Sequence, residues 1–324
     1  MSSPSIPKFK LNNGAEMPAV GMGCWMGGFG EADRAYEMCV KAVKCGYRHF
    51  DTVRGNSGNE EAVGRALRES GVPRSEFFVT TKLPNAGHHR VREAFEESLT
   101  ALNLDYVDLY LIHWPQGERP TSEQRNTGNL GGTSYFAPDE SPTFIEVWKE
   151  MEKLLATGKV KTIGVSNFSV KNLSALLPHC TVVPAVNQVE MHPCLPQNEL
   201  KAFCDEKGIL LTAYSPLGRH TTLMEYPAIN ALAEKFEATP AQILLSWGVQ
   251  RGTSVIPKSE NAERMAKNLQ LVKLSDEDMA AIDAIHKVPG MHKSLLKYHS
   301  EDGKVMGWTY EQLGWPMKIG GIIS

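Results

Sequence analysis

Short apolar runs alternate with longer segments of helical period along almost the whole chain, and no other feature restricts the fold as much. The runs lie near 18–22, 46–50, 76–81, 106–112, 160–165, 182–188, 208–214 and 253–257. Between them, Tyr36, Cys39, Val40 and Val43 fall on one helical face, and Val91, Phe95, Leu99 and Leu102 on another. A further helix starts near 144, where Thr143 and Glu146 have capping-box spacing. Phe144, Val147, Trp148, Met151, Leu154 and Leu155 line its apolar side. Helices near 197–207, 226–236, 240–250 and 260–268 continue the alternation. Repeated strand–helix units predict parallel pairing and closure into a (β/α)8 barrel, a TIM barrel of the α/β class, as one domain over 1–324. An open, doubly wound sheet is the alternative.

Four of the runs end in a polar or ionisable residue. GYRHF precedes Asp51, EFFVTT precedes Lys82, YVDLYLI precedes His113 and GILLTA precedes Tyr214. Singly, each has an ordinary explanation: a helix cap, a solvated lysine, a core imidazole. Together they place acid, base and imidazole on successive strand ends, at the mouth where a barrel of this kind carries its chemistry. A buried Lys–Asp pair beside an imidazole shifts pKa values for proton transfer.

Two stretches break the period. Residues 116–142 are rich in Gly, Pro, Ser and Thr, and a loop of that length inside a compact domain is usually functional or mobile. Residues 287–324 contain GWTYEQLGWP, too aromatic for a discarded tail. Both are placed to wall a pocket at the barrel mouth, although a surface loop and a packed tail are the plainer readings.

Composition excludes several classes. The chain is 42% hydrophobic and 22% charged with a net charge of −3, which suits a soluble domain and gives no electrostatic reason for nucleic acid or an anionic membrane. The opening MSSPSIPKFK lacks a signal-peptide core, and no apolar run is long enough to span a bilayer. Six cysteines without a CxxC pair fit a reducing cytoplasm. His88-His89 and His192-Pro-Cys194 lack a matching second ligand pair, so no metal is expected. They read instead as a solvent-facing helix start and a turn. GMGCWMGG (21–28) has its third glycine misplaced for a dinucleotide fingerprint.

The segments GYRHFDT (46–52), GNEEAVGRAL (58–67), TTKL (80–83), LIHWP (111–115), GKVKTIGVSNFS (158–169), NQVEMHP (187–193), AYSPLG (213–218) and IPKS (256–259) resemble, in order, the aldo-keto reductase family, its fungal xylose-reductase-like branch above all. The resemblance implies a monomeric NAD(P)H-dependent reductase of small aldehydes, an aldose or uronate, with NADPH expected and NADH the alternative. By motif position, Asp51, Lys82 and His113 would be three of the family's four catalytic residues. Ser166, Asn167 and Gln188 would hydrogen-bond the nicotinamide carboxamide, and Tyr214 would stack on its ring. Ser215 and Leu217 would follow the pyrophosphate, while Lys258, Ser259, Arg264 and Asn268 would hold the adenosine end. Trp25 and Trp114 match positions lining the substrate pocket.

The chain departs from the pattern where the family keeps its proton-donating tyrosine. Counting five residues on from Asp51 gives Asn56, and counting back from Asn59-Glu60 gives Ser57. Neither can act as a tuned acid near neutral pH. An engineered knock-out, a variant that protonates through His113 or water, and a cofactor-binding regulatory module with little turnover all remain open. Glu260 either faces the ribose, where it would repel a 2′-phosphate, or enriches a first helical turn with negative charge. Arg54 and Arg219 lie in loops after the second and seventh strands, where either could pair a substrate carboxylate.

Overall fold

The computed structural model describes residues 6–28, 30–54, 59–120, 134–218 and 222–323. A hairpin of β1 (Lys8–Lys10) and β2 (Glu16–Pro18) opens the chain. Eight parallel strands follow: β3 (Met22–Gly23), β4 (His49–Asp51), β5 (Phe78–Leu83), β6 (Val107–Ile112), β7 (Val160–Ser166), β8 (Val186–Glu190), β9 (Leu210–Tyr214) and β10 (Ser254–Ile256). They pair in sequence order, and a parallel bridge between Val20 and Val255 returns the last strand to the first. The sheet is thus closed into the (β/α)8 barrel, with helices on its outer face.

The local reasons are those of the sequence pattern. The helix Phe144–Leu154 begins with the expected capping box, Thr143 accepting from Glu146 N while the Glu146 carboxylate accepts from Thr143 N at 2.7 Å. Phe144, Val147, Trp148, Met151 and Leu154 are buried. The helix Val91–Leu102 buries Val91, Phe95, Leu99 and Leu102. On the helix Ala32–Cys45 the buried face runs through Ala35, Met38, Cys39, Ala42 and Val43. Tyr36 sits at its edge, donating to Glu69 at 2.5 Å with the Arg65 guanidinium 3.7 Å over its ring.

Three expectations need correction. The first run yields only Met22–Gly23 as strand, because Val20 makes a single bridge before the chain turns into the mouth. The sixth strand begins at Val186 rather than 182, since Pro184 has no N–H to donate and the Val182 carbonyl accepts from the Trp148 indole at 3.1 Å. His88 is buried rather than solvent-facing, packed under Gly117. The opening hairpin, absent from the sequence reading, packs Leu11 and Met17 on Phe78, Leu109, Leu111, Ala185 and Val186. All six cysteines are free thiols.

Candidate active site

The strand ends converge on a cavity of about 680 Å³ lined by Asp51, Arg54, Lys82, His113, Trp114, Ser166, Asn167, Gln188, Tyr214, Ser215, Leu217 and Lys258, among others. Trp25 stands at its rim, 51% exposed. From the tail, Leu296, Tyr298 and Met306 complete the wall, with Glu118 and Tyr135 from the two stems of the long loop.

At its floor Lys82, on β5, donates to Asp51 Oδ1, on β4, at 2.6 Å and to the Thr52 carbonyl at 3.0 Å. Adjacent parallel strands bring the two side chains together, and both are buried. The second Asp51 oxygen accepts from Gln188 Nε2 at 2.6 Å. Burial with compensating donors is what lets such a pair persist without solvent. His113 is partly buried beside it, and burial, aided by the Lys82 charge and by His88 once that is protonated, pushes its imidazole down to about 3. The ring is therefore neutral near pH 7, one nitrogen carrying hydrogen and the other accepting.

Asn167 holds the next ring of contacts. Its φ of 64° is the left-handed region, uncommon for a side-chain-bearing residue. Nδ2 donates to the His113 carbonyl at 2.9 Å and to Ser166 Oγ at 3.2 Å, and Oδ1 accepts from Tyr214 OH at 2.7 Å. Ser166 Oγ donates to the Gln188 carbonyl at 2.7 Å. Ser215, also left-handed with φ 51°, turns the chain out of β9 toward Pro216 and Leu217. The lining thus combines hydroxyl, amide and aromatic groups with the Lys258 cation, a donor set that fits a dinucleotide of nicotinamide type.

Several sequence candidates fall elsewhere. Ser259, Glu260, Arg264 and Asn268 are outside the cavity lining. Ser259 caps its own turn by accepting from Asn261 N at 3.3 Å, Arg264 is exposed, and Asn268 is buried. Of the two readings given for Glu260, the one that puts it in a first helical turn does not hold. It precedes the N-cap Asn261, so it is not in the helix. Its carboxylate pairs with Lys258 and, through two oxygens, with Arg34 at 2.9–3.1 Å. Those two cations hold its carboxyl below the usual range. Arg54 lines the cavity, but its guanidinium is engaged by Glu97 at 3.0 Å and Glu60 at 3.8 Å. The cation expected for a substrate carboxylate is therefore shared with two helix carboxylates, while its Nε has no hydrogen-bond partner among the described residues. Asn56 and Arg219 lie outside the described residues.

Sequence reasoning missed three participants. Glu190, at the end of β8, is buried and accepts from Ser294 Oγ at 2.6 Å, Leu295 N at 2.8 Å and Tyr298 OH at 3.0 Å, with His192 Nε2 at 2.9 Å. Burial opposes its charge, but these donors outweigh burial and hold its carboxyl low. Arg34 and Glu118 are the other two. An acid closing the run NQVE was the only sequence signal for Glu190, and Glu118 had only its place in the long loop; Arg34 had none.

A buried ion pair, a neutral imidazole and an aromatic face at the carboxyl mouth of a parallel barrel define a site for proton and hydride chemistry on a small molecule. A profile of the Aldo/keto reductase family matches residues 19–287, and the chain belongs to that family. It is an oxidoreductase, of a family that works with nicotinamide cofactors. It is 44% identical to aldehyde reductase YPR1 of Saccharomyces cerevisiae over 88% of this chain and 93% of that one. Identity is 45% to D-galacturonate reductase of Hypocrea jecorina, covering 85% of this chain and 89% of the relative. Among solved structures, the aldo-keto reductase MGS-M4 from a deep-sea metagenome superposes with a TM-score of 0.76 at 37% identity, covering 89% of this chain and 97% of that one.

Proposed function

We propose that this protein is a monomeric, cytoplasmic reductase of small aldehydes, aldose or uronate in class, that uses NADPH in preference to NADH. The Lys82–Asp51 pair beside neutral His113, at the floor of a cavity about 680 Å³ in volume, carries the reading. The names of its relatives, an aldehyde reductase, a D-galacturonate reductase and a glycerol 2-dehydrogenase (NADP(+)), support the substrate and cofactor classes. Among the described residues no helix is long and apolar enough to cross a membrane.

When bound, a reduced nicotinamide supplies the hydride. Tyr214 offers it an aromatic face, and Ser166, Asn167 and Gln188 read its carboxamide, fixing the ring within reach of a carbonyl. Ser215 and Leu217 follow the pyrophosphate, and Lys258, with Ser259, Arg264 and Asn268 beyond it, serves the adenosine end. Trp25, Trp114, the loop stems at Glu118 and Tyr135 and the tail residues Leu296, Tyr298 and Met306 wall the substrate. The carbonyl oxygen gains negative charge as hydride arrives and needs donors. Lys82 uses two of its hydrogens on Asp51 and Thr52, leaving one for the cavity, and neutral His113 keeps an N–H to aim at the same oxygen. The proton itself comes slowly, through His113 or water, because Asn56 stands where the family has a phenol.

The experiment restores that phenol. Asn56→Tyr, alone and with Ser57 deleted to shorten the loop, should raise kcat by at least ~10²-fold, the low end of what a positioned acid contributes. Cofactor affinity should barely change. NADPH oxidation over a panel of aldoses, uronates and short aldehydes is the measurement. Activity in neither variant nor the starting protein would leave a cofactor-binding module with little turnover.

A further inference from the structure

Among the described residues, each cation lining the cavity has a carboxylate partner, although Arg54 Nε is left without a hydrogen bond, while one carboxylate has no cation. Lys82 is paired with Asp51, Arg54 with Glu97 and Glu60, and Lys258 with Glu260. Glu118 also lines the cavity, at 7% exposure, and no ion pair reaches it among the described residues. Its Oε1 has no hydrogen-bond partner. The next cation in sequence, Arg119, is taken by Glu140. Nearby His88 carries no charge near pH 7, because burial pushes it down to about 3.

The backbone that carries Glu118 is held in place although its charge is not answered. Glu118 N donates to the Asn85 carbonyl at 2.9 Å, and Glu118 bridges Tyr135 on the other stem of the long loop. Beneath it the backbone at Gly117 lies so close to His88 that a Cβ there would meet the ring at 3.0 Å. Among the described residues Asn85, also in the cavity wall, donates its side-chain amide only to the Met306 thioether, at 3.3 Å. A thioether is a weak acceptor, so this amide also has capacity to spare. Buried polar atoms are nearly always satisfied, and an exception in a cavity wall asks for a partner that arrives with a ligand.

We propose that Glu118 is a specificity residue: it accepts a hydroxyl of the substrate and selects neutral, hydroxyl-bearing aldehydes against carboxylate-bearing ones. This rests on the carbonyl-reductase reading and narrows its substrate class from aldose or uronate to the uncharged sugar. A hydroxyl donates to a carboxylate in a charge-assisted bond, with Asn85 able to serve a neighbouring hydroxyl. A second carboxylate in the same place would meet a like charge with no unpaired cation beside it among the described residues, which is how a site rejects a near-isosteric competitor.

D-galactose and D-galacturonate test this, since they differ by a hydroxymethyl group against a carboxylate. Dissociation constants measured at pH 8 with NADP+ present do not depend on turnover, and kcat/KM with NADPH is measured beside them. The unchanged protein should favour galactose at least ~tenfold, a modest value for a like-charge clash. Glu118→Gln, which keeps the shape and a carbonyl acceptor but removes the charge, should collapse that ratio at least ~fivefold. Glu118→Leu should lower the galactose-to-butanal ratio of kcat/KM. Equal binding of the two sugars, binding of neither, or a ratio that survives Glu118→Gln overturns the proposal. Selective binding without turnover would uphold Glu118 and count against the reductase reading, whereas turnover with an unmoved ratio would do the reverse.

Discussion

Glu260 has two claimants for one carboxylate, Lys258 and Arg34, and the contest bears on cofactor choice. A cation that would grip a 2′-phosphate is partly neutralised before any cofactor arrives, by a residue two positions along the chain. The three groups are partly exposed, so the pairing is weak and salt-dependent. Glu260→Gln should release Lys258 and tighten NADPH roughly threefold to tenfold, in keeping with a surface ion pair, while NADH changes little. Lys258→Ala should weaken NADPH far more than NADH. Cofactor titrations followed by protein fluorescence check both. An NADPH:NADH affinity ratio indifferent to Glu260→Gln would mean that the carboxylate stays clear of the phosphate, and equal losses in Lys258→Ala would remove the 2′-phosphate assignment.

Elements that no periodicity announces build the upper wall of the cavity. The stems of the long loop pair through Glu118 and Tyr135, and the tail clamps them. Gln116 Nε2 donates to the Val305 carbonyl at 2.9 Å, and the Trp308 indole donates to the Phe136 carbonyl at 2.8 Å. Glu190 fastens the tail to the barrel through Ser294, Leu295 and Tyr298. Removing it would leave three donors without their shared acceptor. Glu190→Ala should cost roughly 2–4 kcal/mol, the range for losing charged hydrogen bonds in a buried site. It should also expose the tail to limited proteolysis before the barrel unfolds. Urea unfolding and timed digestion measure the two effects; an unchanged digestion rate in the tail would show that Glu190 does not brace it.

For the whole molecule, three desolvated imidazoles weigh on the acid side of the stability curve. Burial lowers His49 to about 4 and His88 and His113 to about 3. Their folded-state values lie below the unfolded value, so the unfolded chain binds more protons between those limits. Stability from these groups is complete above about pH 6.5 and is lost as pH falls toward about 3, at up to roughly 1.4 kcal/mol per pH unit for each histidine. Glu60 and Asp108, which burial raises, act in the opposite sense, so the net slope is smaller than three protons. Urea unfolding at pH 8, 7, 6 and 5 should give a flat upper region and a decline below about 6.5. No loss between pH 6.5 and 5 would mean that the imidazoles are not buried neutral.

The sequence by itself determined the barrel and the strand ends that line its cavity. Side-chain period and capping are local properties, written in adjacent residues such as Thr143 and Glu146, and a polar residue closing an apolar run needs no partner to be seen. The tertiary structure alone decided the pairings. Arg54 and Glu97, Lys258 and Arg34 through Glu260, and Glu190 with the tail are joined by closure of the sheet and docking of the tail, across separations that no local pattern encodes. The same physics explains Glu118. A charged residue in a polar loop reads as solvated until the loop stem folds under the tail and removes the water.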